Sequence, residues 1–175
     1  MFLNKIKLFL VISICLIFFF LTYNDVKSQE PKIIFGKAKV IDGDTIKIDK
    51  NKIRLYGIDA PEKKQQCQKM WLSISFLTLN KNYQCGKISS NKLKVKINNK
   101  FIMCKSSNKD RYNRFIAECY KDKININKWM VSNGYAVAYR KYSKKFISQE
   151  NLAKKEKLGI WVGTFEMPWE WRKKN

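Results

Sequence analysis

The sequence predicts an α+β fold: a five-stranded Greek-key β-barrel of the OB type, with about three helices. Three observations lead there. Residues 33–58 hold three short segments of alternating apolar character broken by turn residues. Two more such segments, 100–105 and 114–120, flank a polar turn. Stretches with helical signals follow the third strand and the fifth, giving the order three strands, helix, two strands, helix, helix.

Residues 33–41 read as a strand and 45–49 as its partner, because Asp42-Gly43 between them is a strong hairpin signal. Residues 52–58 make the third strand of this meander and end at Asp59-Ala60-Pro61. Residues 62–85 are polar apart from an apolar island, Trp71 to Leu79, and read as a long, partly helical loop. Residues 86–97 read as a helix, although Leu93, Val95 and Ile97 alternate as a strand would. Asn108 to Asn113 form the turn between strands four and five. Asn127 is positioned to cap a short helix, 128–133, that Gly134 ends. Residues 146–157 form an amphipathic helix stopped at Gly159, with Phe146, Ile147, Leu152 and Ala153 as core contacts. Trp161 reads as core, and residues 164–175 form a basic, aromatic tail.

The chain has 175 residues, room for one domain with a modest core. Residues 1–28 read as a signal peptide. Lys5 and Lys7 precede an apolar run of 15 residues, Leu8 to Thr22, and Val26-Lys27-Ser28 suits cleavage after Ser28. An uncleaved anchor is the alternative, although the run falls short of the ~20 residues that span a bilayer. Removing the leader leaves 33 basic and 13 acidic side chains, a net charge of +20. Such a surface seeks a polyanion. Localisation is therefore expected outside the inner membrane, secreted or periplasmic, with a membrane-anchored form as the alternative.

Four cysteines remain in the processed chain: Cys67, Cys85, Cys104 and Cys119. An even number in an exported chain implies disulfides, expected as Cys67–Cys85 and Cys104–Cys119, the latter facing each other across a hairpin. A zinc site is the competing reading, but the chain has neither a Cys-x-x-Cys motif nor a histidine. The absence of histidine excludes Ser-His-Asp and Cys-His catalysis.

The chemistry concentrates between residues 42 and 62. Asp44 and Asp59 end adjacent expected strands and can converge on one cation, for which an oxygen-only donor set suits Ca²⁺. Arg54 can clamp phosphoryl oxygens, and Glu62 can accept a proton from water. Each feature has an ordinary counterpart: a hairpin turn at 42–44, an Asx-type turn at 59–62, a surface Arg–Glu pair. Arg111, Tyr112 and Arg114 crowd the second hairpin, as a phosphate-binding loop or a solvated basic turn. Tyr139 and Tyr142 flank Arg140 and Lys141, which suits base stacking beside a phosphate path or, for Tyr139, core packing.

Taken together, Asp42-Gly43-Asp44-Thr45, Arg54-Leu55, Ile58-Asp59-Ala60-Pro61-Glu62, Asp110 to Arg114, Asn127, Gly134-Tyr135-Ala136, Tyr139, Glu150, Ala153 and Gly159-Ile160-Trp161 resemble the staphylococcal nuclease family, over residues 33–163. The resemblance implies an OB-type barrel and a Ca²⁺-dependent phosphodiesterase that cleaves DNA and RNA, single strands preferred, leaving 3′-phosphate ends. It implies one Ca²⁺, held by Asp44, Asp59 and the backbone carbonyl of Ala60. Glu62 matches the general base, and Arg54 and Arg114 match the arginines on the scissile phosphate. Arg111 and Tyr112 match contacts to a terminal phosphate, and Tyr139 an aromatic of the nucleotide pocket; Tyr142 is placed beside it. A monomer with no obligate protein partner is expected. Two departures stand out: Asn113 where the family usually has Gly, and a longer 62–85 segment with a cysteine at each end. The alternative function is a non-catalytic OB-fold module that binds single-stranded nucleic acid.

Overall fold

In a computed structural model, which describes residues 12–15 and 30–175, strand β1 (Lys32–Asp42) buries Ile34, Gly36 and Ala38 on one face and exposes Phe35, Lys37 and Lys39 on the other. That period-2 pattern places a half-buried strand against a core. β1 turns into β2 (Thr45–Ile48), which pairs antiparallel with β3 (Asn51–Leu55). The short β4 (Ile58–Asp59) follows. Residues 12–15 are helical, and the rest of the expected leader lies outside the described residues. Among the described residues, no helix is long and apolar enough to cross a membrane.

Residues 62–85 differ from the expected loop. They carry a two-stranded hairpin, β5 (Cys67–Ile74) and β6 (Leu77–Tyr83). The apolar island alternates along both strands, and nearly all of it stays outside the core, so neither burial nor length marked it as strand. Helix α1 (Cys85–Ile97) follows as expected, buries Leu93 and Ile97, and ends at Asn98 in the left-handed conformation.

β7 (Phe101–Lys109) pairs with β1, and β8 (Phe115–Lys121) pairs antiparallel with β7. β8 also runs parallel to β3, with Arg54 opposite Ile116, which closes a five-stranded barrel in the order β3-β2-β1-β7-β8. β9 (Ile124–Asn125) extends β8. Cys104 and Cys119 face each other in the register of β7 and β8, and a disulfide joins them. The second disulfide, Cys67–Cys85, ties the foot of the hairpin to the start of α1.

The cap of α2 (Ile126–Ser132) is a correction. Asn125, not Asn127, accepts the Lys128 amide. Asn127 is fully buried and latches the barrel closed. Its Nδ2 donates to the Tyr56 and Ala117 carbonyls at 2.9 Å and 3.1 Å, and its Oδ1 accepts from the Cys119 amide at 3.0 Å. β10 (Val137–Ala138) pairs with β4.

α3 (Ile147–Lys155) buries Ala153 and Glu150, with Phe146 buried just ahead of it. Leu152 is exposed, contrary to the sequence reading; the helix turns Glu150 inward instead. Glu150 accepts from the Ala138 amide at 3.2 Å and pairs with Arg140 at 2.5 Å, so a buried carboxylate fixes β10. A 3-10 turn, Gly159–Val162, and β11 (Gly163–Thr164), paired with β5, lead to helix α4 (Pro168–Lys174). Pro31–Asn175 forms one compact unit whose two apolar cores draw only on its own residues. The larger fills the barrel and continues onto α1, α2, β10 and Phe146; the smaller gathers the Cys67–Cys85 disulfide, Val137 and Ile160, with Trp161 and Trp169 against it.

Candidate active site

Asp44 stands at the tight end of the first hairpin, beside Arg54 across the β2–β3 register. Asp59 is brought in from β4 by its pairing with Val137. Both aspartates are buried. Arg54 lies between them: Nη1 pairs with Asp44 Oδ1, and Nη2 donates to Asp59 Oδ1 at 2.5 Å. The other oxygen of Asp44 accepts the Ala60 amide at 2.9 Å, which draws the 59–62 turn onto the hairpin. Burial pulls the Arg54 pKa down and the Asp59 charge opposes it; a guanidinium remains charged in any case.

Two glycines allow this approach. A Cβ at Gly43 would stand 2.3 Å from Ser89 Oγ of α1 and 2.7 Å from Ala60 Cβ. A Cβ at Gly86 would stand 1.7 Å from the Glu62 carbonyl oxygen. Any side chain at either position would push α1 off the carboxylate-bearing turn.

Glu62 faces the same pocket, half-buried. Its amide donates to Gln65 Oε1 at 3.1 Å, and Gln65 Nε2 donates onward to the Glu166 carbonyl at 2.6 Å. Asp42 adjoins Glu62. Burial first, and then the Glu62 carboxylate, push Asp42 up to about 6. Arg172, from α4, closes the group. Its Nη1 donates to Asp59 Oδ1 at 3.1 Å and to Glu62 Oε1 at 2.6 Å, and its Nη2 to Asp59 Oδ2 at 2.7 Å. Burial alone would lower the Arg172 pKa; the bonds to Asp59 and Glu62 outweigh it and raise it.

The second hairpin turns on Asp110. Its Oδ1 accepts the Tyr112 and Arg114 amides at 2.9 Å and 3.0 Å, and its Oδ2 accepts Arg114 Nε at 2.8 Å and Nη2 at 2.7 Å. Asn113 has φ +60°, the left-handed conformation in which glycine is most at ease and asparagine is tolerated. Arg111 Nη2 donates to the Tyr112 hydroxyl at 2.7 Å. Arg114 is close enough to Arg54 for its charge to help lower the Arg54 pKa. Arg111 and Tyr112 are exposed, and neither makes a hydrogen bond or ion pair to Asp44, Asp59 or Glu62 among the described residues.

Tyr139 stacks on Trp169 with centroids 5.4 Å apart and planes 8° apart, and meets Tyr142 edge-on at 4.8 Å. The Tyr139 amide donates to the Gly57 carbonyl at 3.0 Å, just beyond the pairing of Val137 with Asp59, and burial, then the Asp59 charge, raise the Tyr139 pKa. An aromatic wall thus adjoins the charged pocket.

The sequence model described as "Staphylococcal nuclease homologue" matches residues 52–163. The chain belongs to the staphylococcal nuclease family. The succinoglycan biosynthesis protein ExoI of Rhizobium meliloti (strain 1021) is 33% identical over 141 residues, covering 79% of this chain and 69% of that protein. An uncharacterized endonuclease of Escherichia coli O157:H7 is 32% identical over 148 residues, 79% of this chain and 85% of its own length. One of Haemophilus influenzae (strain ATCC 51907 / DSM 11121 / KW20 / Rd) is 36% identical over 146 residues, 78% of this chain and 71% of its own length.

Among the described residues of this staphylococcal nuclease homologue, no three acidic or sulfur side chains stand close enough together to hold a metal ion. Two aspartates nevertheless offer oxygens to one point, the Arg54 fork, with the Ala60 backbone alongside. Carboxylate and carbonyl oxygens are the donor type a hard cation takes; here Arg54, Arg172 and the Ala60 amide engage the oxygens of both aspartates. Asp42, Trp169 and Arg172 were not singled out as site residues in the sequence. Asp42 carried a local signal, the Asp-x-Asp pair at the turn. Trp169 and Arg172 carried none, because they reach the site from a helix beyond the last resembling motif.

Proposed function

We propose that this chain is an exported, Ca²⁺-dependent phosphodiesterase that hydrolyses DNA and RNA, single strands preferentially, and leaves 3′-phosphate ends. The observation that carries the reading is the Arg54 fork bridging two buried aspartates, with Glu62 beside them. Arg54 keeps N–H groups beyond those on the aspartates, and Arg114 supplies a second fork; together they bind and neutralise the oxygens of one phosphodiester. Arg111 and Tyr112 receive a neighbouring terminal phosphate. Tyr139 and Tyr142 stack against a base.

Glu62 takes a proton from a water aligned with the phosphorus. The water oxygen bonds to phosphorus as the bond to the 5′ oxygen breaks, and that oxygen leaves as a hydroxyl after taking a proton from a solvent water. Asp44, Asp59 and the Ala60 carbonyl would hold the cation, which when bound supplies Lewis-acid charge to a phosphoryl oxygen. Export is supported by both disulfides being formed and by the leader-like residues 1–28. We read the chain as acting without a partner subunit in its site, a reading supported by every group named lying in one compact unit.

The test is cleavage of single-stranded DNA by purified Arg54→Ala, Arg114→Ala and Glu62→Ala variants. Each loses orders of magnitude in turnover with the fold retained. Near-normal cleavage by all three would refute the reading. Salt-dependent binding without cleavage by the unaltered chain would favour the non-catalytic module.

A further inference from the structure

The β5–β6 hairpin stands outside the nuclease machinery and has a built polarity of its own. Its strand register sets Ile74 opposite Leu77 and Leu72 opposite Leu79 on one face, with Ser73 opposite Thr78 on the other. Phe76, at the tip, is 96% exposed, and Trp71 at the bulge is 66% exposed. Below the aliphatic rows, on the same face, Lys69 stands directly opposite Lys81. Like charges paired across strands are unfavourable in isolation. Lys69 draws partial relief from the Tyr83 ring, 5.7 Å from its ammonium. The ribbon is anchored at its foot by the Cys67–Cys85 disulfide and by β11, which pairs only with Gln68 and Lys69.

We infer that this hairpin is a docking tip for an anionic lipid surface. An apolar end of about four residues per strand is ~13 Å long at strand rise, enough to reach the headgroup–acyl boundary and no deeper. Among the described residues the distal strand edges pair with nothing outside the hairpin, so their backbone groups need water and the tip stays interfacial. The lysine pair then falls at headgroup level, where anionic phosphates relieve its repulsion. A second copy of the chain would bring two lysine collars together. A nucleic acid would answer the lysines and leave the aliphatic rows in water. Acyl chain and phosphate in one partner answer both.

The test uses residues 30–175, which hold both apolar cores and both disulfides, against vesicles of phosphatidylglycerol mixed with phosphatidylcholine and vesicles of phosphatidylcholine alone. The unaltered unit cosediments with the anionic vesicles. Phe76→Asp with Leu77→Asp weakens that binding at least about thirtyfold, and Lys69→Ala with Lys81→Ala weakens it about thirtyfold, with Tm unchanged in both. A nitroxide on Phe76→Cys is shielded from a water-soluble relaxant only when anionic vesicles are present. Equal binding by all variants would mean adsorption by the basic surface at large and would overturn the inference. So would a dimer that the Phe76→Asp, Leu77→Asp variant dissolves, or loss of oligonucleotide binding in place of vesicle binding. None of these outcomes depends on whether the chain cleaves DNA.

Discussion

Arg172 clasps Asp59 through both carboxylate oxygens, at 3.1 Å and 2.7 Å, across 113 residues of chain. The same guanidinium reaches Glu62. Arg172 therefore shares Asp59 with Arg54 and alone of the two reaches Glu62, and it brings positive charge to the carboxylates a cation would also use.

Replacing Arg172 with Met should lower Tm by roughly 6 °C, about 2 kcal/mol. Loss of a buried partner costs more than that, and the partial exposure of Arg172 reduces the figure. Saturating Ca²⁺ should raise Tm of the variant more than it raises that of the unaltered chain, because the ion then meets a Glu62 without its partner and an Asp59 held by Arg54 alone. Calorimetric scans with and without Ca²⁺ read both effects. Equal shifts in the two proteins would contradict this account of the pocket.

Asn127 joins the two strands that close the barrel through three side-chain hydrogen bonds. Asn127→Ala leaves two carbonyls and one amide without that partner, at a cost of about 3 kcal/mol or more. Urea unfolding should show the midpoint falling with little change in slope. A loss below about 1 kcal/mol would mean that water replaces the latch.

The Asp110 turn gives a pH signature. Burial works to raise the Asp110 pKa, but the bonds from Arg114 and Tyr112 outweigh it and hold the carboxyl below its ordinary value of 3.8. A depressed carboxylate pKa contributes stability above the unfolded value, and that contribution is lost as pH falls through the folded one. Asp110→Asn should therefore be less stable than the unaltered chain at neutral pH, and the gap should close below pH 3.8. Denaturation midpoints of both proteins across acidic pH measure it. A gap that persists unchanged at the acid end would assign the effect to something other than the charge.

The Cys104–Cys119 bridge has a sequence separation of 15 and closes a loop worth about 3 kcal/mol in the chain-entropy account. Replacing both cysteines with Ala should lower Tm with the barrel topology retained. Circular dichroism through the transition distinguishes this from a chain that no longer folds.

What the sequence could carry depended on how local each signal was. Alternation along 33–58 marked the strands that bring Arg54 beside Asp44, and the polar run from Asn108 to Asn113 marked the second turn. The 67–83 hairpin was hidden because its alternating apolar residues serve no core, so the usual reason to read such a run as strand was missing. Asn127 sits where a helix cap belongs, and only the closure of β3 on β8 gives it three partners in the interior. Arg172 and Trp169 lie in a tail whose basic and aromatic character suggests a surface. Their contacts with Asp59 and Tyr139 arise from packing that no nearby residue announces.

The measurement that bears most directly on the central claim is hydrolysis of end-labelled single-stranded DNA by residues 30–175, in Ca²⁺ and in excess chelator, with the ends of the products determined. Rapid cleavage with Ca²⁺, none with chelator, and 3′-phosphate products are expected. Cleavage unaffected by chelator, or binding without any cleavage in Ca²⁺, would contradict the assignment of Asp44, Asp59, Glu62 and Arg54 to one phosphodiesterase site.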